Sequence, residues 1–259
     1  IEELSRPLLI YCQLLQWLGG IGIVVLVLAI LPILGVGGMY LYKAETSSPI
    51  KDNKLSPRIT ETAKSLWGVY LILTIICMIF YKLAGMNYFD AVGHSFSTVS
   101  IGGFSTHNES IGYYSSDYIK IICMAFMFLS ALNFVLHFLF YKTKSFNNYF
   151  SNSEAKTFLA IIIGLLILVS LFSIGGRLSS INNIDLVFHV LSFVTTSGFT
   201  VSEYSSWPTF IIMLIFLSSF IGACAGSAGG GMKVIRITIA LKSIKKQLLK
   251  VIHPKAQIS

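Results

Sequence analysis

Residues 90–104 read DAVGHSFSTVSIGGF, and residues 185–199 read DLVFHVLSFVTTSGF. Aligned with an offset of 95 and without a gap, the two stretches share seven identical residues in fifteen positions. An internal repeat explains this agreement better than chance does. Each stretch is helical in pattern at first and then reaches a glycine followed by a phenylalanine.

The helical part of each stretch, residues 88–97 and 184–193, is too short to cross a membrane. Ten residues at ~1.5 Å each extend ~15 Å, about half of a ~30 Å hydrocarbon core. A short helix can enter and leave on the same side only where protein or water covers the backbone at its tip. The sequence therefore predicts two re-entrant helices.

The composition places these short segments in a membrane protein. Of the 259 residues, 54% are hydrophobic and only 12% are charged, which excludes a disordered chain and argues against a soluble domain. Long apolar stretches occupy residues 8–34, 66–83, 119–140, 158–174 and 210–224, and a sixth, 232–252, is interrupted by six Lys and Arg residues. We therefore expect an all-α polytopic membrane protein.

The basic residues indicate which loops face the cytoplasm. Residues 42–64, 141–156 and 233–259 carry five, three and seven Lys and Arg residues, which is fifteen of the nineteen. By the positive-inside rule these three stretches are cytoplasmic, and residues 85–117 and 175–207 face outside. Five acidic residues lie in the outer stretches. They indicate either a mildly acidic outer mouth or ordinary solvated loops.

The repeated unit has the physical properties of a cation filter. A helix that points its C-terminal end into the membrane places partial negative charge at mid-depth. Carbonyl oxygens of an extended strand after it can replace the hydration shell of a monovalent cation, and glycine permits the backbone dihedral angles that this requires. The candidate filter residues are Ser100, Ile101, Gly102, Gly103, Phe104, Thr195, Thr196, Ser197, Gly198 and Phe199. The alternative is that these small residues only let helices pack closely.

At these residues the sequence resembles the Trk/Ktr/HKT superfamily of potassium transporters, most closely its TrkH-like bacterial subunits. Four motifs carry the resemblance, in the family's order. They are QWLGGIG at 16–22 with LPILGVGGM at 31–39, STVSIGGFST at 97–106, TTSGF at 195–199 and CAGSAGGGMK at 224–233.

The resemblance implies helix–pore-helix–helix units repeated four times around one pseudo-fourfold pore. On that plan the chain divides into the second helix of repeat one (1–42), a cytoplasmic loop (43–64), pore repeat two (65–141), a cytoplasmic loop (142–156), pore repeat three with a broken second helix (157–252) and a cytoplasmic tail (253–259). The filter of repeat one and all of repeat four are missing from this plan. We therefore expect a fragment that does not conduct by itself.

The resemblance also implies a function and partners. It implies potassium transport across the bacterial cell (inner) membrane, with K⁺ held by filter carbonyls and with no cofactor or other metal. It implies a homodimer that works with a cytosolic, nucleotide-binding regulatory subunit of the TrkA type, and no nucleic acid. Two alternatives are a secondary transporter with broken helices and a non-conducting membrane scaffold.

A glycine-rich run near the end of the chain predicts a broken helix. Read as one helix, residues 210–241 would extend ~48 Å, which exceeds the membrane core. Four glycines in residues 226–231 favour a break, which is tolerated where the backbone lines a cavity or is covered by protein. The resemblance implies that this loop gates the pore, with Gly226, Ser227, Gly229, Gly230 and Gly231 in the gate and Lys233 and Arg236 at its inner side. Alternatively, the glycines pack helices and the two charges snorkel to the interface.

Other polar residues in the apolar segments are interpreted as structural. Asp90 and His94, like Asp185 and His189, are four residues apart, and we favour helix capping and packing over a metal or proton-relay site. Asn133 is expected to form an interhelical hydrogen bond. Because the sequence contains no nucleophile–base pair and no phosphate-binding loop, we expect no enzyme activity.

Overall fold

The computed structural model describes residues 3–22, 59–172 and 182–252, and in these ranges the regular structure is helical apart from one isolated β-bridge. The helices are α1 (Arg6–Trp17), α2 (Ile59–Leu83), α3 (Tyr88–Val99), α4 (Asp117–Ala131), α5 (Phe134–Thr143), α6 (Asn147–Ser151), α7 (Ser153–Phe172), α8 (Asn183–Val194), α9 (Thr209–Ser218) and α10 (Val234–Ile252). A π-helical turn (Leu18–Gly22) follows α1, and 3₁₀ turns occupy Ser110–Tyr113 and Tyr204–Ser206. The all-α prediction is confirmed.

Within residues 3–22, 59–172 and 182–252, two helices are long and apolar enough to cross a membrane by themselves. They are Lys64–Leu83, which is most of α2, and Ser153–Phe172, which is α7. Both expose large aliphatic side chains, such as Ile72 on α2 and Ile167 on α7. An apolar exposed face on such a helix is what contact with lipid requires. Residues 23–34 of the predicted first stretch, 8–34, lie outside the described residues.

The two predicted short helices are present at matching positions. Helices α3 and α8 each have twelve residues, and their first and last residues differ by the same offset of 95. Twelve residues extend ~18 Å, well short of a membrane core. Each helix begins after an asparagine, Asn87 or Asn182, whose side chain accepts a backbone N–H of the first turn. The repeat is therefore present in the structure as well as in the sequence.

The expectation that residues 119–140 form one helix is wrong. Helix α4 ends at Ala131 and α5 begins at Phe134, with a bend of 94° between them. Asn133, which was expected to bond to a neighbouring helix, caps α5 instead, because its side chain accepts the Val135 N–H at 2.9 Å. The carbonyls of Ser130 and Ala131 accept N–H groups from the glycine loop rather than from the next helical turn.

The predicted break in residues 210–241 is confirmed, and it is longer than the glycine run. Helix α9 ends at Ser218, and α10 begins only at Val234. Between them the chain folds back on itself, with the Gly222 N–H donating to Met232 O at 3.0 Å. A Cβ on Gly222 would lie 2.1 Å from the Gly230 carbonyl oxygen, so only glycine permits this close approach of the two arms.

Each of the two short helices, α3 and α8, packs against neighbouring helices in a buried core. Near α3, the Trp17 ring stacks on Tyr70 and its Nε1 donates to Thr74 at 3.0 Å, which joins α1 to α2. Near α8, the buried residues Phe158 and Ile211 come from α7 and α9. This packing fixes the position of the C-terminal end of each short helix, where the candidate filter begins.

Candidate ion filter and the loop beneath it

The turns that follow α3 and α8 have the same backbone conformation. Ile101 and Thr196, which are equivalent under the repeat, both have positive φ, at 56° and 65°. Two residues later Gly103 and Gly198 have φ of 72° and 83°. A positive φ strains a β-branched residue, so this conformation must be held by the contacts around it.

Backbone hydrogen bonds hold both turns against their own helices. The Gly102 N–H donates to Ser97 O at 2.8 Å, and the equivalent Ser197 N–H donates to Ser192 O at 2.8 Å. The partially positive amide hydrogens of these residues therefore point back to the helices. Among the carbonyls, Gly102 O accepts from the Gln16 side chain at 3.1 Å. A carbonyl oxygen with one such partner retains a second lone pair.

The two candidate filter strands touch each other. A Cβ on Gly103 would lie 2.0 Å from the Ser197 carbonyl oxygen, so Gly103 packs directly against the strand of the next repeat. Farther along, the Gly112 N–H donates to Thr200 O at 3.1 Å. The structure thus brings together the two predicted segments, which are 95 residues apart in the chain.

Asp90 ties the start of α3 to the chain that follows the filter strand. Its carboxylate is 3% exposed and accepts hydrogen bonds from Thr106 Oγ1 at 2.7 Å, His107 Nε2 at 3.1 Å and Tyr114 OH at 2.8 Å. The helix cap itself is Asn87, whose Oδ1 accepts the Asp90 N–H at 2.8 Å. The capping role expected for Asp90 therefore belongs to its neighbour, and Asp90 anchors the outer loop.

The hydrogen bonds at the start of α3 keep the Asp90 carboxylate ionised. Burial raises the pKa of Asp90, but hydrogen bonds from Thr106, His107 and Tyr114 lower it, and the resulting pKa lies below the usual value. Burial, together with the Asp90 carboxylate, raises the pKa of the Tyr114 phenol. Asp90 is therefore a charged acceptor, and Tyr114 stays a protonated donor.

The equivalent Asp185 has a different partner. Its Oδ1 accepts from Lys120 Nζ at 2.6 Å, and Lys120 is a buried lysine on α4, in the preceding repeat. His94 and His189 keep the same role in both repeats, because each Nδ1 donates to the carbonyl four residues earlier, at 2.9 and 2.8 Å. In the part of the chain that the structure describes, no group of three or more His, Cys, Asp or Glu residues could hold a metal ion.

The glycine loop lies directly beside the base of the candidate filter. The Gly230 N–H donates to Thr196 Oγ1 at 2.8 Å, and a Cβ on Gly229 would lie 3.1 Å from the Thr195 carbonyl oxygen. The Lys233 ammonium donates to the Gly229 carbonyl. Gly229, Gly230 and Gly231 thus lie against the candidate filter, whereas Gly226 lies against Asn133 and the Ser227 hydroxyl donates to Cys224 O. Arg236 lies exposed in the first turn of α10.

Sequence reasoning missed one residue of this site, Glu154. Its carboxylate is 5% exposed and accepts the backbone N–H of Ala225 at 2.7 Å and that of Ile235 at 3.3 Å. The residue begins α7 at the end of a lysine-containing loop, a pattern typical of a solvated charge. Only the fold reveals that the carboxylate is buried against the glycine loop.

Comparisons with known proteins agree with this architecture. The profile of the TrkH family, described as a cation transport protein, matches residues 1–259. The Trk system potassium uptake proteins TrkH of Halomonas elongata and Escherichia coli K12 are 50% and 46% identical over all of this chain and 54% of their own length. The crystal structure of the potassium transporter TrkH from Vibrio parahaemolyticus matches with a TM-score of 0.82 and 42% identity, over all of this chain and 53% of that one. The chain thus spans about half the length of the relatives it matches.

Proposed function

The chain belongs to the TrkH family of cation transport proteins, and from that premise we propose that it supplies two quarters of a potassium-selective pore in a bacterial cell membrane. The observation that carries the proposal is the contact between the repeats. Two turns of equal backbone conformation meet with Gly103 against the Ser197 carbonyl. Strands arranged side by side in this way can surround a common axis when further copies complete the ring.

The filter strands select potassium through backbone oxygens. Helices α3 and α8 direct their C-terminal ends toward the turns, which favours a cation there. The amide hydrogens of Gly102 and Ser197 are bonded back to the helices, so they do not repel an entering ion. Carbonyl oxygens of residues 100–104 and 195–199 then replace water around K⁺. No step of this transport makes or breaks a covalent bond.

The glycine loop gates the pathway just inside the filter. Its contacts with Thr195 and Thr196 support this role, because Gly229 and Gly230 lie beside the base of the candidate filter strand, a position from which the loop can obstruct an ion. Gly226 and Gly231 have positive φ. Glycine adopts such backbone angles without strain, so these two positions suit the hinges of a moving loop. The gate opens when the loop leaves these contacts.

The assembled protein is a homodimer that works with a cytosolic, nucleotide-binding subunit of the TrkA type. On the cytoplasmic side, α10 carries the exposed basic residues Arg236, Lys242 and Lys246. A basic helix next to the gate offers that subunit a charged surface through which to act on the loop.

Uptake of Rb⁺ into liposomes that contain the full-length protein tests the proposal. We expect uptake that K⁺ inhibits more strongly than Na⁺ does. Gly198→Ser should weaken this discrimination, because φ at this position is +83° and disfavours a side chain. Gly164→Ala, on a helix and with open space at its Cβ, is the matched control. Absence of uptake would identify a scaffold, and unchanged discrimination in Gly198→Ser would remove that residue from the filter.

A further inference from the structure

Glu154 joins the two ends of the glycine loop. Its Oε1 accepts the N–H of Ala225, directly before the glycines, at 2.7 Å, and the N–H of Ile235, directly after the loop, at 3.3 Å. The two donors are ten residues apart in the chain but meet at one oxygen atom. A single side chain of α7 therefore fixes both ends of the candidate gate.

The chemistry of these donors explains why a carboxylate is suited to this position. Ile235 is the second residue of α10, and the first N–H groups of a helix have no partner within it. The positive end of the helix dipole also favours an anion. Ala225 is fully buried, so its N–H needs an acceptor from the protein.

The loop is held at its other side by the filter itself. Gly230 donates to Thr196 Oγ1 at 2.8 Å. When the loop moves away from the filter, its two ends must shift relative to each other or relative to α7. The hydrogen bonds to Glu154 oppose such a shift, because both donors are buried and would lose their acceptor together.

We infer that Glu154 is a positioning residue that holds the glycine loop in its closed position, and that release of these two hydrogen bonds accompanies opening of the gate. The inference rests on the proposed function, since it requires the loop to be a gate. The inference also gives α10 a part in opening, because displacement of its first turn removes the Ile235 N–H from Glu154. The same displacement pulls on the loop through Lys233, which bonds to Gly229.

The test measures the Rb⁺ flux of the full-length protein in liposomes without any regulatory subunit. Glu154→Ala should raise the basal flux about tenfold, as expected when two hydrogen bonds that favour one conformation are removed. Glu154→Gln keeps a carbonyl oxygen as acceptor and should remain close to wild type. Lys156→Ala, an exposed residue of the same helical turn, is the control and should leave the flux unchanged.

A second variant removes a donor instead of the acceptor. Ile235→Pro deletes one N–H within the first turn of α10, where proline is tolerated. Ile235→Pro should raise the flux, as Glu154→Ala does. It keeps the inference testable if Glu154→Ala does not fold. In addition, Ser227→Cys should react faster with a membrane-impermeant thiol reagent when Glu154→Ala is also present.

The sign of the change separates a gate contact from a simple folding contact. A folding contact predicts lower flux in Glu154→Ala and Ile235→Pro, whereas a closed-state contact predicts higher flux. If wild type conducts and both variants conduct equally or less, the inference about Glu154 is overturned and the proposed function stands. If neither wild type nor either variant gives any flux, the proposed function itself fails.

Discussion

At the scale of single residues, Gly103 has the strictest requirement in the filter. Its φ of +72° disfavours any side chain, and its Cα lies against the Ser197 carbonyl of the next repeat. The conformation alone costs a non-glycine residue ~1–2 kcal/mol. The contact adds a steric cost that only a shift of the neighbouring strand can relieve. Conformation and packing therefore select the same residue.

Gly103→Ala should reduce Rb⁺ uptake at least tenfold in protein that still folds and inserts. The added methyl group displaces the Ser197 carbonyl, which is itself a candidate ion ligand. Uptake into liposomes at equal protein content measures the effect. Gly164→Ala adds the same methyl group in open space and should leave uptake unchanged. Equal uptake by the two variants would contradict the packing of the filter strands described above.

Asp90→Asn should destabilise the outer loop and weaken ion selectivity. Asparagine replaces one carboxylate oxygen with an NH2 group, which cannot accept a hydrogen bond. Hydrogen bonds to a charged group that are worth ~1.5–3 kcal/mol are therefore lost. Thermal unfolding of the full-length protein, together with K⁺/Na⁺ competition for Rb⁺ uptake, measures both effects. Asp117→Asn, an acid that is half exposed, is the control. An unchanged unfolding temperature in Asp90→Asn would show that the carboxylate does not anchor the loop.

The same carboxyl group predicts a pH dependence of stability. Its folded-state pKa lies below the unfolded value of about 3.9, so its contribution is fully present above that value. The contribution is lost as the pH falls through the folded-state pKa. Wild type should therefore lose stability relative to Asp90→Asn as the pH is lowered below about 4. Parallel pH profiles of the two proteins would count against this account.

Single residues of the filter were predictable only in part. The offset of 95 locates every candidate filter position, because the identical residues lie on both sides of each turn. The positive φ of Ile101 and Thr196 was not predictable, since β-branched side chains disfavour it. Their N–H groups donate to the carbonyls of Thr98 and Phe193, three residues earlier, and these hydrogen bonds close each turn in that conformation.

At the scale of helices, α4 connects the two repeats. The ion pair of Lys120 and Asp185 joins α4 of repeat two to α8 of repeat three. The glycine loop contacts the end of α4 as well, through Ser130 and Ala131. Helix α4 therefore contacts the following repeat at both of its ends, through Lys120 and through Ser130 and Ala131.

A double-mutant cycle can measure the link between the two repeats. We expect Lys120→Met and Asp185→Asn each to lower the unfolding temperature of the full-length protein. Lys120→Met leaves the half-buried Asp185 carboxylate without its ammonium partner, and Asp185→Asn leaves the buried Lys120 with only the more distant Asp117 carboxylate, at 3.6 Å. Their combined effect should be smaller than the sum, with a coupling energy of about 2 kcal/mol. Strict additivity would show that the 2.6 Å contact contributes nothing to the interface between repeats.

The helices also show where sequence reasoning ends. The break between α9 and α10 was predicted, because four glycines mark it in the sequence. The bend between α4 and α5 was not, because residues 119–140 contain neither glycine nor proline. The bend depends on the glycine loop, whose Cys224 N–H takes the Ala131 carbonyl at 3.0 Å. A contact made more than ninety residues later in the chain leaves no local pattern to read.

At the scale of the whole molecule, the two repeats show how neighbouring units pack against each other. Each repeat contributes one short helix and one strand, and neighbouring strands meet through a glycine and a carbonyl. Two such units cannot coordinate an ion from all sides. The chain spans about half of its TrkH relatives, so the remaining strands are expected in the other half of the full protein.

The 259-residue chain reconstituted alone should give no Rb⁺ uptake above that of empty liposomes. Coexpression with the remaining half of the full-length protein should restore uptake, which also shows that the chain had inserted. Uptake by the chain alone would contradict a pore that requires four repeats.

The anchors of Asp90 and Asp185 have a consequence for an ion that approaches from outside. Asp185 is paired with the Lys120 ammonium group, whereas the side chains that donate to Asp90 are those of Asn87, Thr106, His107 and Tyr114. The two repeats therefore share a backbone conformation but differ in the charges around their equivalent aspartates. A cation that approaches from outside therefore experiences an asymmetric electrostatic potential, because Lys120 offsets the charge of one of the two equivalent carboxylates.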